Sequence, residues 1–302
     1  MNKIDLEGIY IPLITPFSKD STSELDLELL KELASFYIKE YDLSGIVPCG
    51  TTGESPTLKH EEFEKIIQSI KEVTKEEYPI IAGSGTNSTT STIELTKRVQ
   101  DAGADASLLV TPYYNKPNQH QLIRHIENVA NSVKIPIILY DIPGRTGVSI
   151  SLDSYKEIIQ IDNVIGVKIA PNNFSDVNNL LTYINNNQIN DFSVLAGEDN
   201  LTFSMICLGA KGGITAAAHI IGKEYAEMYK LIKNGEIEKA RKIHSTTYNI
   251  VNLMFEEPNP GPIKYALQLM GYNCNSLRQP LDVISEGLQL KIKNELQKLN
   301  KI

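Results

Sequence analysis

Lys168 lies in the run Val164-Ile-Gly-Val-Lys-Ile-Ala170, a short apolar stretch rich in β-branched residues that reads as a buried strand. Such a strand rarely carries a charge. A lysine held in apolar surroundings has its ammonium form disfavoured, so its pKa falls and the free amine becomes a nucleophile able to form a Schiff base. The bland reading is a lysine snorkelling from a strand end to solvent. Its company decides between the two. The groups that could act with it are hydroxyls, phenols and one guanidinium: Thr51 and Thr52 in Gly50-Thr-Thr-Gly53, then Tyr113, Tyr114, Tyr140 and Arg145. Glycine-flanked threonines can simply bond their own turn. Equally, their hydroxyls and the neighbouring amides can grip a carboxylate.

Bringing these residues together requires a particular frame. Apolar runs predict strands at 8–17, 45–50, 79–83, 106–111, 135–140, 164–170, 192–196 and 213–218. Helical spacing falls between them at 27–41, 59–75, 89–102, 119–132, 152–159, 177–185 and near 201–208, with a closing helix at 224–233. The strands are continuous rather than alternating, which implies a parallel sheet covered on its outer face. The expected fold is a (β/α)8 TIM barrel. An open doubly wound sheet fits less well, because no Gly-x-Gly-x-x-Gly follows the first strand. Beyond the barrel, helices at 237–255, 263–269 and 281–299 predict a C-terminal three-helix extension, dividing the chain into 1–233 and 234–302.

In such a barrel the chemistry sits at the carboxyl ends of the strands. Those ends carry Thr51 and Thr52, Tyr113 and Tyr114, Tyr140 and Arg145, Lys168, and Gly197-Glu-Asp199. The five histidines, at 60, 120, 125, 219 and 244, offer no pair at metal-ligand spacing, so no metal is expected. Glu54, Glu198 and Asp199 show no acid/base partner of glycosidase type, and Glu198 and Asp199 are expected to cap a helix. A phosphate loop at Gly209 to Gly213 is a weaker alternative. The net charge of −8 argues against a nucleic-acid partner. Three widely spaced cysteines, Cys49, Cys207 and Cys274, suggest a reducing cytoplasm with neither disulfide frame nor metal cluster. No signal-peptide core and no apolar run long enough to span a membrane is seen.

Several motifs in order carry a resemblance: Gly50-Thr-Thr-Gly-Glu-Ser55, Val110-Thr-Pro-Tyr-Tyr-Asn-Lys-Pro117, Leu139-Tyr-Asp-Ile-Pro-Gly-Arg-Thr-Gly147, Gly166-Val-Lys168 and Glu257-Pro-Asn-Pro-Gly-Pro262. Over nearly its whole length the chain resembles the pyruvate-dependent class I aldolases and lyases, and most closely the dihydrodipicolinate synthases. The resemblance implies an imine between Lys168 and pyruvate with no separate cofactor. Tyr140 would shuttle protons, in a relay completed by Thr51 and by Tyr114 donated across a subunit interface, hence a homo-oligomer, usually a tetramer. Thr52 would join Thr51 in holding the pyruvate carboxylate. Ile214 matches a position whose backbone carbonyl lies near the site, and Gly197 is counted among the substrate-binding positions. Arg145 would bind the carboxylate of a second substrate, L-aspartate 4-semialdehyde. The implied reaction gives 4-hydroxy-tetrahydrodipicolinate, a step of lysine biosynthesis by the diaminopimelate route.

The chain departs from that pattern in places. Asp141 stands where asparagine is usual, and Ile169 where glutamate commonly follows the lysine. These leave open a sister aldolase or lyase acting on a 2-keto-3-deoxy sugar acid or related aldehyde. A keto-acid-binding barrel without turnover is a third reading. Pro56 replaces a small residue. His60 and Asn87 match the feedback site of lysine-inhibited members, whereas Phe63 and Ser91 replace its histidine and glutamate, which predicts weak or no inhibition by lysine.

Overall fold

The computed structural model describes residues 4–19 and 23–302. Among these residues the apolar runs form eight short parallel strands: β1 (Gly8–Ile11), β2 (Gly45–Ile46), β3 (Ile81–Gly83), β4 (Ala106–Val110), β5 (Ile137–Asp141), β6 (Val164–Ile169), β7 (Ser193–Ala196) and β8 (Gly212–Ile214). They pair in the order β2-β1-β8-β7-β6-β5-β4-β3. A parallel bridge from Ile46 to Ile80 closes the ring, helped by the Ile46 amide donating to the Pro79 carbonyl (3.0 Å) and the Gly83 amide to the Pro48 carbonyl (2.9 Å). The chain is the expected (β/α)8 barrel.

Helices α1 (Leu27–Glu40), α2 (His60–Thr74), α3 (Thr89–Asp101) and α4 (Gln119–Ala130) follow the first four strands. The short α5 (Pro143–Thr146) and α6 (Leu152–Ile158) follow β5, then come α7 (Phe174–Asn186), α8 (Thr202–Cys207) and α9 (Ala218–Lys233). Local chemistry sets the starts. Asp26, Ser88, Asn118, Ser151 and Asn173 each accept a backbone N–H of the following first turn.

Strand alternation sorts the side chains into two layers. Tyr10, Val47, Ile81, Leu108, Ile138, Tyr140, Leu195 and Ile214 fill the barrel. Their neighbours, such as Leu109, Leu139, Val167, Ile169, Val194 and Ala196, face the helices. The register pairs Tyr140 with Lys168 and Asp141 with Ile169. Lys168 and Tyr140 therefore share the inner face, while Asp141 and Ile169 share the outer one.

After α9, kinked at Ile221, come α10 (Ile237–Leu253), α11 (Gly261–Leu269) and α12 (Glu286–Lys298). Ile250, Ile263, Leu267, Ile292 and Leu296 join Ile14, Leu33 and Tyr37 in one apolar cluster, so the extension and the barrel wall share a core. Several expected boundaries shift: β1 ends at Ile11 rather than 17, β2 at Ile46 rather than 50, and the closing helix begins at Ala218 rather than 224. The helix expected from 281 begins at Glu286, because Ser285 accepts the Leu288 amide and caps it there. The strand expected to reach 218 ends at Ile214, where the chain turns and Ala218 opens α9.

Candidate active site

Lys168 is 6% exposed, and its Nζ stands 4.1 Å from the centre of the Tyr140 ring. Among the described residues it makes no salt bridge. Burial pushes its pKa down to about 8, while the Asp199 carboxylate acts in the opposite direction. The amine is thus much closer to its nucleophilic form near neutrality than a surface lysine would be. Gly197, just past β7, makes room for it. A Cβ there would meet Lys168 Cγ at 2.9 Å and the Ile169 carbonyl oxygen at 3.0 Å.

Tyr140, at the end of β5, is equally buried, and burial holds its phenol well above the usual range. Arg145 and a side-chain hydrogen bond from Thr51 pull the other way. The phenol keeps its proton at neutral pH and is suited to passing one along a hydrogen-bonded chain. Arg145, exposed on α5, stands at the mouth. Thr51, Thr52, Tyr140, Arg145, Lys168 and Gly197 all line one cavity of about 230 Å³. A second hollow of about 250 Å³ adjoins it through Thr51, Tyr140 and Arg145, with Phe63, Leu95 and Leu108 on its apolar side. A larger hollow, about 660 Å³, opens among Ile4, Glu7, Tyr10, Pro79 and Pro136 at the amino ends of the strands. The buried lysine, the phenol and the arginine all line the smaller cavity instead.

Two expected site residues stand apart from it. Ile214 is fully buried at the end of β8, below the cavity, whose wall takes Ala216 from the same segment. Tyr114 is 91% exposed, with a left-handed φ of 73°, and does not line the cavity of its own chain.

The structure also corrects the reading of the carboxylates. Asp199 does not cap its own helix. It is 3% exposed, and its Oδ1 accepts the Ala217 amide at 2.6 Å, bracing the turn after β8. Burial raises its pKa, since Lys168 and the backbone donors offset only part of the desolvation. Glu198 makes no side-chain cap either, and lines the cavity. Both lie at a strand end, the one signal that marks them. Glu54, which had no evident partner in the sequence, is paired across 210 residues with Lys264 of α11 at 2.5 Å, both side chains being almost fully buried. Its second oxygen accepts the Arg278 amide at 3.0 Å. Nearby, Asn259 Nδ2 donates to Thr52 Oγ1 at 2.9 Å and completes the cavity wall.

Asp141 and Ile169, the departures beside Tyr140 and Lys168, lie outside the cavity. Asp141 Oδ2 accepts the Tyr155 hydroxyl (2.8 Å) and the Ile150 amide (3.1 Å) under α6, and burial raises its pKa to about 6. Ile169 packs in the layer between barrel and helices. His219 is a locked structural histidine. Its Nε2 accepts the Ile14 amide (3.2 Å), its Nδ1–H donates to the Ala216 carbonyl (2.7 Å), and burial lowers its pKa to about 4. The glycines of the 209–213 stretch serve the turn and the strands: Gly209 has a φ of 107°, and a Cβ on Gly212 would strike the Gly8 carbonyl. All three cysteines are free. Among the described residues no three His, Cys, Asp or Glu side chains gather as a metal site, and no helix is long and apolar enough to cross a membrane.

Known proteins resemble this arrangement over the full chain. The 4-hydroxy-tetrahydrodipicolinate synthase of Methanosarcina mazei is 42% identical over 293 residues, covering 97% of this chain and 98% of its own. The dihydrodipicolinate synthase of Thermotoga maritima superposes with a TM-score of 0.95 at 33% identity, covering 99% of this chain and 100% of its own. The chloride-inhibited enzyme of Acinetobacter baumannii, complexed with pyruvate, superposes with a TM-score of 0.93 at 37% identity over 98% of this chain and 100% of its own. The sequence profile of the dihydrodipicolinate synthetase family matches residues 5–299, and with the lysine, phenol and arginine at one barrel mouth the chain belongs to that family.

Proposed function

We propose that the chain is a class I lyase that condenses pyruvate with L-aspartate 4-semialdehyde to give 4-hydroxy-tetrahydrodipicolinate and water, in lysine biosynthesis. The observation that carries the reading is Lys168, buried without a salt bridge, with Tyr140 and Arg145 on the same cavity. The free amine attacks the keto carbon of pyruvate, and loss of water gives the imine. Protonated, that imine accepts electrons from the adjacent C–H bond, so a methyl proton leaves and an enamine forms. The enamine carbon then attacks the aldehyde carbon. The amino group of the second substrate closes on the imine carbon and releases Lys168. Tyr140 passes the protons, with Thr51 and the Tyr114 of a neighbouring copy completing its relay. Thr51 and Thr52 hold the pyruvate carboxylate, with the Ile214 carbonyl and Gly197 shaping the floor. Arg145 takes the carboxylate of the aldehyde as a bidentate cation. The exposure of Tyr114 suits donation between copies in a homotetramer, and the free cysteines suit the cytoplasm. Phe63 and Ser91, in place of a histidine and a carboxylate, make inhibition by lysine weak or absent.

Because Asp141 and Ile169 face the helices, they give no reason to prefer a sugar-derived aldehyde. Borohydride treatment in the presence of pyruvate should add one reduced adduct at Lys168, and turnover with aspartate semialdehyde should exceed turnover with a 2-keto-3-deoxy sugar acid. No adduct, or preference for the sugar acid, would sink the reading. Arg145→Ala should weaken use of the aldehyde by roughly tenfold or more, the size of one lost hydrogen-bonded charge pair, and leave adduct formation intact. Equal damage to both steps would remove Arg145 from its assigned role.

A further inference from the structure

The polar wall of the cavity has a sense of direction imposed by the C-terminal extension. Asn259 is 6% exposed and stands just before α11, yet it reaches 207 residues back along the chain to Thr52. Its Nδ2 donates to Thr52 Oγ1 at 2.9 Å, and Thr52 is itself 3% exposed. The other end of the amide, Oδ1, is buried and has no partner among the described residues. Both residues line the cavity that holds Lys168.

A hydroxyl has one proton and two lone pairs, whereas an amide NH2 group can only donate. With one lone pair of Thr52 Oγ1 taken by Asn259, the hydroxyl proton cannot be spent on that neighbour. It is free for an acceptor in the cavity. Were the amide oxygen on this side instead, Thr52 would donate to it and turn its lone pairs towards any incoming carboxylate.

We propose that Asn259 is a positioning residue that fixes the polarity of Thr52, making its hydroxyl a donor to the carboxylate of the keto acid joined to Lys168. This rests on the keto-acid reading of the cavity. The C-terminal extension thereby selects an anionic head group beside the imine.

Asn259→Asp tests it, since the side chain keeps its shape and, once ionised, can only accept. The half-saturating pyruvate concentration for borohydride trapping at pH 8 should rise about tenfold or more, the size of one hydrogen bond to a charged group. The trapped fraction at saturation should stay near that of the parent protein. Relative to the parent at each pH, the deficit should narrow as the pH falls and the new carboxyl regains its proton. In a Thr52→Val background, Asn259→Asp should raise that concentration far less, because the hydroxyl through which it acts is gone. An unchanged pyruvate requirement, or the same increase with and without the Thr52 hydroxyl, overturns the proposal. If Asn259→Asp does not fold, Asn259→Leu removes the donor without adding charge and is read by the same two measures. A parent protein that traps no pyruvate defeats the keto-acid reading itself. Trapping that is indifferent to residue 259 defeats the polarity proposal alone.

Discussion

Two lysines are buried among the described residues, and their surroundings make opposite use of them. Lys264 is 0% exposed. It is locked between the Glu54 carboxylate at 2.5 Å and the Ser276 carbonyl at 2.7 Å, with the Phe17 ring 4.6 Å away. Lys168 is nearly as buried but has a tyrosine ring and no salt bridge. Burial lowers the pKa of both. The paired one is satisfied as a cation and ties α11 to the Gly50–Glu54 loop. The unpaired one is kept reactive, at the expense of stability. Burial alone therefore does not mark a catalytic lysine; burial without a matching anion does.

The contrast can be broken most forcefully by neutralising each lysine in turn. Lys168→Met should lower turnover on the order of 10⁴-fold or more, as removal of other covalent nucleophiles does. The melting temperature should not fall, because the variant sheds a desolvated charge. A large loss of stability would show that Lys168 is structural after all. Lys264→Met should do the reverse. Stranding a buried Glu54 costs about 3–5 kcal/mol, read as a fall of roughly 10 °C in the melting temperature. The double variant Glu54→Gln/Lys264→Met should recover most of that stability, since no unpaired charge remains. No recovery would show that the pair is held by its shape rather than by its charge.

A subtler test sharpens the contrast by pH. The nucleophile is the free amine, so the rate of imine formation at low pyruvate should climb with pH and level off above about 8, where the Lys168 proton is lost. Below that point the rate should fall roughly tenfold per unit. The stability sign follows from the same shift. A lysine whose folded pKa is depressed binds fewer protons folded than unfolded, so its penalty is full below about 8 and lifts as the pH rises towards the ordinary lysine value of 10.5. Following the melting temperature of the parent and Lys168→Met across that window checks it: the two should converge as the pH rises.

The barrel was legible because parallel strands covered on both faces are written as unbroken apolar runs, and eight of them punctuate this chain. The strand-end rule then found Lys168, Tyr140, Thr51, Thr52 and Arg145, all of which meet at one cavity. What escaped was long-range pairing. The partner of Glu54 lies 210 residues away and that of Thr52 lies 207 away, distances over which no local pattern extends. Asp199 looked like a cap because acidic residues at helix starts usually are caps, and only the fold places the Ala217 amide beneath it. The boundaries at 218 and 281 slipped for a simpler reason: alanines and a leucine-valine stretch continue an apolar pattern past the point where the backbone turns.

The pairing of Asp141 with Ile169 on the outward side of β5 and β6 bears on how such chains diverge. A period of two separates neighbouring positions into different selective regimes. A substitution at 140 or 168 alters the cavity wall, whereas one at 141 or 169 meets α6 and the helical layer. An exchange of a carboxylate for an apolar side chain at 169 would therefore change the helical layer and leave the cavity wall as it is. An unfamiliar residue adjacent in sequence to a catalytic lysine is, on a barrel strand, adjacent to a different history.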